Sequence, residues 1–198
     1  MPNTTTPTLP IILASRSPRR KRMLEGLDID FRAVESGVDE DAVSSADPED
    51  CVRQLAIAKA GAVARRFPDN WVIGADSIVL IDDTILNKPG SRTEARTMLA
   101  RLSGRTHRVL TGYCIFRQSI GHRFTDVVIS EVTFKTLRTA EIDWYTNTTE
   151  PYDKAGAYAI QGIGAFMVSR ISGSYTNVVG LPLAEVVDHL SACGALLR

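Results

Sequence analysis

Net charge is what this sequence most conspicuously lacks: Lys plus Arg total 23 and Asp plus Glu total 23 in 198 residues. A balanced chain has no whole-molecule field to gather nucleic acid or an anionic membrane, so affinity for phosphate must be built locally. Cysteine is scarce as well. Cys51, Cys114 and Cys193 are odd in number, far apart and without a CxxC pair, which indicates neither a disulfide framework nor a zinc site and fits a reducing cytoplasm. The three histidines, His107, His122 and His189, read as scattered, with no neighbour at metal-ligand spacing. Any metal would then be held by carboxylate oxygen, which points to a hard divalent cation, Mg2+ or Mn2+. No apolar run approaches the roughly 18 residues of a membrane span, so no membrane partner is expected. The opening MPNTTTPTLP has no basic residue and no long apolar stretch, unlike a secretory signal or an Arg-rich transit peptide. Residues 1–9 read as a disordered leader, residues 10–198 as a single domain, and the expected location is cytoplasmic. Repeats, low-complexity tracts and interdomain linkers are absent too.

What is present alternates. Residues 10–14 (PIILA) form a short apolar run of the buried-strand kind, followed by Ser17-Pro18, a cap and first-turn pair that starts a helix running to about Leu27. A second strand is expected over residues 31–34 and an acidic turn over residues 38–41. Asp47-Pro48 repeats the helix start, and Val52, Leu55, Ala56 and Val63 mark one face of a long helix ending near Arg66. Residues 71–81 (WVIGADSIVLI) read as a central strand interrupted by a polar site, with a turn at Asp82-Asp83. A helix over residues 92–102, a hairpin of strands 106–117 and 123–135, and a helix over residues 139–147 follow. A glycine-rich segment (153–164) leads to a strand near residues 166–171, a turn at Gly173 and a last helix over residues 182–193. The hairpin excludes an all-parallel sheet, so the pattern predicts an α/β domain with a mixed β-sheet flanked by helices, as two lobes around a central cleft.

Chemistry concentrates in a few places. Residues 16–22 hold five basic side chains at a helix start, where free backbone N–H groups and guanidiniums suit a polyphosphate; a solvated basic face or nucleic-acid patch is the plainer alternative. Asp76 lies inside an apolar strand, and a carboxylate there needs a metal, an arginine or a polarised water as partner. It is the best acid-base candidate, with a structural ion pair as the alternative. Lys59 shares the apolar face of its helix, so its ammonium either snorkels outward or enters an enclosed anionic site. Glu40 sits in the acidic turn and Lys88 before Pro89-Gly90; each alone reads as an ordinary loop residue.

Six ordered segments carry a resemblance: LASRSPRR (13–20), GADSIV (74–79), LNKPG (86–90), LSGRTHRVLTG (102–112), DKAGAYAIQG (153–162) and GSYTNVVGLPL (173–183). Together they resemble the Maf family of nucleoside triphosphate pyrophosphatases over nearly the whole chain. The DKAGAYAIQG form is similar to the branch acting on dTTP and UTP. The resemblance implies a fold similar to that of inosine triphosphatase, a homodimer, and a nucleoside triphosphate as substrate. It also implies that Asp76 is the proton acceptor and that Arg19, Ser77 and Gln161 bear on substrate choice. Ser15, Arg20, Glu40, Lys59 and Lys88 then surround the cleft that takes the triphosphate and the divalent metal, with Glu40 and Asp76 as the metal's carboxylates. Two positions depart from the family pattern: Ser77 stands where threonine is usual, and Asn87 where glutamate often precedes Lys-Pro.

Residues and resemblance together predict attack by water between the α and β phosphates, with Lys59 and Lys88 neutralising phosphate oxygens and Asp76 orienting or deprotonating the water. The competing expectation is a non-catalytic nucleotide- or nucleic-acid-binding regulator of cell division using residues 16–22. Zero net charge and carboxylates in the same cleft argue against a stable nucleic-acid partner.

Overall fold

The structure, a computed structural model, describes residues 9–40, 42–43 and 45–196. All but the last residue of the expected leader, and Asp41 of the acidic turn, lie outside the described residues. The chain order is β1 (Ile11–Leu13), α1 (Pro18–Glu25), β2 (Phe31–Ala33), α2 (Pro48–Ala64), β3 (Val72–Ile81), β4 (Thr84–Leu86), α3 (Arg92–Leu102) and β5 (Thr106–Arg117). It continues with β6 (His122–Phe134), α4 (Thr139–Tyr145), three short 3-10 turns, β7 (Val168–Ser172), α5 (Tyr175–Val179) and α6 (Leu183–Ala192).

Helix starts fall where capping chemistry places them. Ser17 Oγ accepts from Arg20 N ahead of Pro18, Asp47 accepts from Glu49 N ahead of Pro48, and Ser91 accepts from Glu94 N while Glu94 reaches back to Gly90 N. Each such cap contributes about 1 kcal/mol. Two elements escape the sequence reading. Asp82 and Asp83 both adopt positive φ (46° and 59°), so the turn read there is a tight reversal that sends the chain back as β4, pairing Ile81 with Thr84. Helix α5 rises directly after Gly173, where only a turn is expected. Residues 163–167 coil as 3-10 helix, so β7 begins two residues later than predicted.

The mixed sheet has seven strands in the order β2-β1-β3-β5-β6-β7, with β4 on β3. Strands β2, β1 and β3 are parallel, whereas β3-β5-β6-β7 is an antiparallel meander. One edge of β3 is covered by β5 along most of its length. The other edge is divided: β1 pairs with Val72 and Ile73, and β4 with Val79, Leu80 and Ile81. Among the described residues, positions 74–78 have no strand beside them on that edge. Because β1 ends at Leu13, its carboxyl end opens into this gap, the place where parallel strands present ligand sites.

The same stretch divides the core. On the α2 face, Val72 packs with Ala56 and Ala60, while Ile78 and Leu80 pack with Val52 and Leu110; Asp76 lies between the two clusters. On the opposite face, Ile73 and Ala75 belong to a core with Leu24 of α1 and Leu190 of α6, and Val79 and Ile81 to another with Leu99 of α3 and Ile142 of α4. Ser77 lies between those. The polar pair in an apolar strand thus marks a seam between two lobes on both faces. Glycine brings α2 onto the sheet: a Cβ on Gly74 would stand 2.3 Å from Ala56 O, and one on Gly112 2.3 Å from Val52 O.

Candidate active site

The gap in the sheet edge is the floor of a cleft of about 340 Å³, within the range of small-molecule sites. Its walls come from the β1–α1 turn, the 35–40 loop, α2, the Lys88 turn, the 153–161 segment and the end of α5.

On the α2 side, strand geometry presents Asp76 toward the helix that carries Lys59. The Lys59 ammonium, on a side chain only 7% exposed, bonds Asp76 Oδ1 at 2.7 Å and Glu40 Oε1 at 2.6 Å. Lys88 Nζ approaches Glu40 Oε2 at 3.3 Å from the solvent side. Two carboxylates and two ammoniums therefore alternate across the cleft floor. Partial burial pushes the Glu40 carboxyl up, but the hydrogen bond and charge of Lys59, aided by Lys88, outweigh it and hold the group down at about 2. Of the two alternatives for Lys59, the structure shows the enclosed one: the lysine turns inward, onto the protein's own carboxylates.

On the other face, Arg20 is buried and tied into the protein. Its Nε donates to Gly180 O at 2.6 Å, one terminal nitrogen to Ser77 Oγ at 3.0 Å and the other to Ser15 Oγ at 3.4 Å. Ser77 shares a 2.8 Å hydrogen bond with Thr111 Oγ1, which donates to Asn177 O. Asn177 in turn donates to Val109 O and Ser130 Oγ. This chain fills the seam between the lobes. Thr111, Ser130 and Asn177 were not singled out from the sequence, although Thr111 and Asn177 lie inside two of the six motif segments (102–112 and 173–183). Burial pushes the Arg20 guanidinium down, with Asp76 opposing, yet an arginine stays charged at neutral pH.

Arg19 spans the cleft mouth to Asp153 at 3.1 Å. Gln161 lines the cleft from the glycine-rich segment and makes no hydrogen bond to a described residue. Its loop is fixed by Glu150, whose carboxylate accepts from Tyr145 OH, Ile163 N and Gly164 N at 2.7–3.0 Å. The basic run divides: Arg16, Arg19 and Arg20 line the cleft, Arg16 also reaching Glu35, whereas Lys21 pairs with Glu25 and Arg22 is exposed. Every site residue expected from the sequence, Ser15, Arg19, Arg20, Glu40, Lys59, Asp76, Ser77, Lys88 and Gln161, lines this one cleft.

The expectation that cysteines and histidines are scattered needs correction. His122, His189 and Cys193 converge, their ligating atoms all within 4.8 Å of one another. The sequence did hold a signal, since His189 and Cys193 are four residues apart at the end of one helix and so share a face.

A family profile described as Maf-like protein matches residues 10–193. The dTTP/UTP pyrophosphatase of Syntrophus aciditrophicus is 50% identical over 186 residues, 94% of this chain and 91% of that one. The dTTP/UTP pyrophosphatase of Halalkalibacterium halodurans is 45% identical over 189 residues, 96% of this chain and 98% of the other. The solved structure of the Staphylococcus aureus Ham1 protein overlaps 63% of this chain and 72% of its own at 16% identity and a TM-score of 0.39, a partial likeness from which nothing further follows.

Proposed function

The chain belongs to the Maf family, and from that premise and the geometry of its cleft we propose that it hydrolyses dTTP and UTP to the nucleoside monophosphate and pyrophosphate. The observation that carries the reading is the Asp76–Lys59–Glu40–Lys88 array on the cleft floor. It puts a base candidate and two ammoniums at the open edge of β3, below the β1–α1 turn with its hydroxyls, its guanidiniums and the uncommitted Arg19 amide at the helix start. Relatives named dTTP/UTP pyrophosphatase at 45–50% identity support the choice of substrate.

Phosphoryl transfer asks mainly for positioning and charge neutralisation. The turn at residues 15–19 takes the outer phosphates, with the Arg19 side chain at the cleft mouth and its backbone N–H uncommitted at the helix start. Arg20 holds that turn in place by joining Ser15, Ser77 and Gly180. Asp76 orients and deprotonates the attacking water, and the Lys59 hydrogen bond keeps its carboxylate aimed. Lys59 and Lys88 shift part of their charge to phosphate oxygens when substrate enters. Gln161, with free amide donors and acceptor, reads the base edge together with Arg19 and Ser77.

The donor set fits a hard divalent cation. Carboxylate oxygens of Glu40 and Asp76 already converge on one positive point, the Lys59 ammonium, and among the described residues no soft ligand lines the cleft. Glu40 and Asp76 would hold Mg2+ or Mn2+, which supplies neutralisation of phosphate charge. A cytoplasmic homodimer is part of the same proposal, supported by the family likeness. No helix among the described residues is long and apolar enough to cross a membrane. The carboxylates that suit a metal triphosphate also repel a nucleic-acid backbone, so a stable nucleic-acid partner is not proposed.

The test is chromatography of products from the purified protein with a nucleotide panel and Mg2+. dTTP and UTP should yield monophosphate and pyrophosphate, with turnover lost in chelator and restored by Mg2+ or Mn2+. Diphosphate plus orthophosphate would place the attack at the γ position. Binding without any product would favour the regulator instead.

A further inference from the structure

His122 opens β6 at the tip of the β5–β6 hairpin, while His189 and Cys193 lie at the carboxyl end of α6. The hairpin register pairs Arg117 with His122, one step beyond the Phe116–Val72 pair on β3. Asp76 is four residues further along β3, so the cluster lies roughly 17 Å from the cleft floor along the strands, at about 3.3 Å per residue. It is a separate site, at the other end of the sheet.

Its geometry is that of converging ligands. The two Nε2 atoms are 3.0 Å apart, and Cys193 Sγ completes a group within 4.8 Å. Neighbouring rings hold both imidazoles: Phe124 stacks on His189 at 3.9 Å and 19°, and the Trp71 ring meets His122 edge-on at 5.0 Å. All three residues are only partly buried, so an ion can enter from solvent. Two imidazole nitrogens and a thiolate are poor ligands for Mg2+ or Mn2+ and good ones for a borderline transition ion.

We propose that His122, His189 and Cys193 form a Zn2+ site that ties the hairpin tip to the C-terminal helix. Each imidazole turns its Nε2 lone pair to the ion, the proton shared between the two Nε2 atoms moving to an Nδ1, and Cys193 binds as thiolate, releasing its proton to solvent. A fourth position stays open to water. The sequence distance from His122 to His189 is 67 residues, so the ion closes a long loop and stabilises the folded chain by linkage. Its distance from the cleft leaves hydrolysis of the triphosphate unaffected.

The experiment is titration of the full-length, chelator-treated protein with Co2+ under a large excess of Mg2+, which keeps the cleft carboxylates occupied. A thiolate-to-cobalt charge-transfer band and visible tetrahedral bands should saturate at one Co2+ per chain and disappear when Zn2+ is added. Cys193→Ser should abolish the charge-transfer band with UTP turnover unchanged, whereas Cys51→Ser should retain it. His122→Gln and His189→Gln should each weaken binding at least tenfold. Nitrogen NMR of the unmutated protein should show both Nε2 resonances shifting on Zn2+ addition, a readout independent of any variant's folding. Absence of the band, its survival in Cys193→Ser, or unmoved imidazole resonances would each overturn the site and leave a packed pair of hydrogen-bonded histidines.

Discussion

Lys59 holds two acids at once, and most of what the cleft floor can do follows from that. Removing Asp76's charge while keeping its shape should leave the fold intact but remove the base: Asp76→Asn is expected to lose at least about a hundredfold in kcat, since general-base help is worth 10²–10⁴-fold. Circular dichroism beside single-turnover kinetics checks both halves. Lys59→Met acts differently. A lysine merely snorkelling from an apolar stripe would tolerate methionine, but here two carboxylates would be left facing each other with no cation between them. Stability should fall by about 3 kcal/mol, the lower end for a broken buried pair because both acids keep some solvent, and kcat/KM should fall at least tenfold. The acid limb gives a second reading. Glu40 has a carboxyl lowered from 4.5 to about 2, so its contribution to stability is complete above about pH 4.5 and is lost as pH falls toward 2. In Lys59→Met most of that contribution is gone. Carbon NMR titration of the Glu40 carboxyl in metal-free protein should show its midpoint rising by more than one pH unit.

At the level of elements, the caps, the long apolar strand and the hairpin were legible because each rests on local chemistry: Ser17-Pro18, Asp47-Pro48 and the WVIGADSIVLI run need no distant partner to declare themselves. Strand β4 and helix α5 were not. Three residues, Thr84–Leu86, carry too little pattern to show a strand, and it exists because β3 offers an edge; α5 has five residues and exists because Asn177 is anchored to Val109 and Ser130 on two strands. The motif-bearing site residues were legible, whereas their supports were not, since Thr111, Ser130 and Glu150 act through contacts that only the sheet register and loop packing create. Glu150 gives the test at this scale. It fastens the loop that carries Gln161 through two backbone amides, and the amide of Glu150→Gln cannot accept at both positions. An amide left without its acceptor costs about 1 kcal/mol. The variant should therefore raise KM for UTP about fivefold with kcat within twofold of wild type, and hydrogen exchange at Ile163 and Gly164 should quicken. A kcat loss with unchanged KM would instead assign Glu150 to the chemistry.

Across the whole molecule, β3 and β5 run unbroken through both lobes, while the polar row of Asp76, Ser77 and Thr111 interrupts the packed cores on each face. The lobes are thus joined by backbone and by hydrogen bonds at the cleft, with apolar packing on either side. A ligand seated there bridges groups from both: the β1–α1 turn and Arg19 from one, Lys88 and the 153–161 segment from the other. Its binding free energy should therefore appear as global stability and as local order at the cleft walls. With a non-hydrolysable α,β-imido analogue of dTTP and Mg2+ at one hundred times its Kd, linkage gives about 2.7 kcal/mol. For a chain of this size that corresponds to a rise in Tm of about 5–10 °C. Hydrogen exchange should slow in residues 15–19 and 153–161, on opposite sides of the cleft, and stay unchanged at residues 117–122 of the hairpin tip. Protection confined to residues 15–19, with the same gain in Tm, would show that the phosphates bind one lobe alone and that Gln161 takes no part in holding the base.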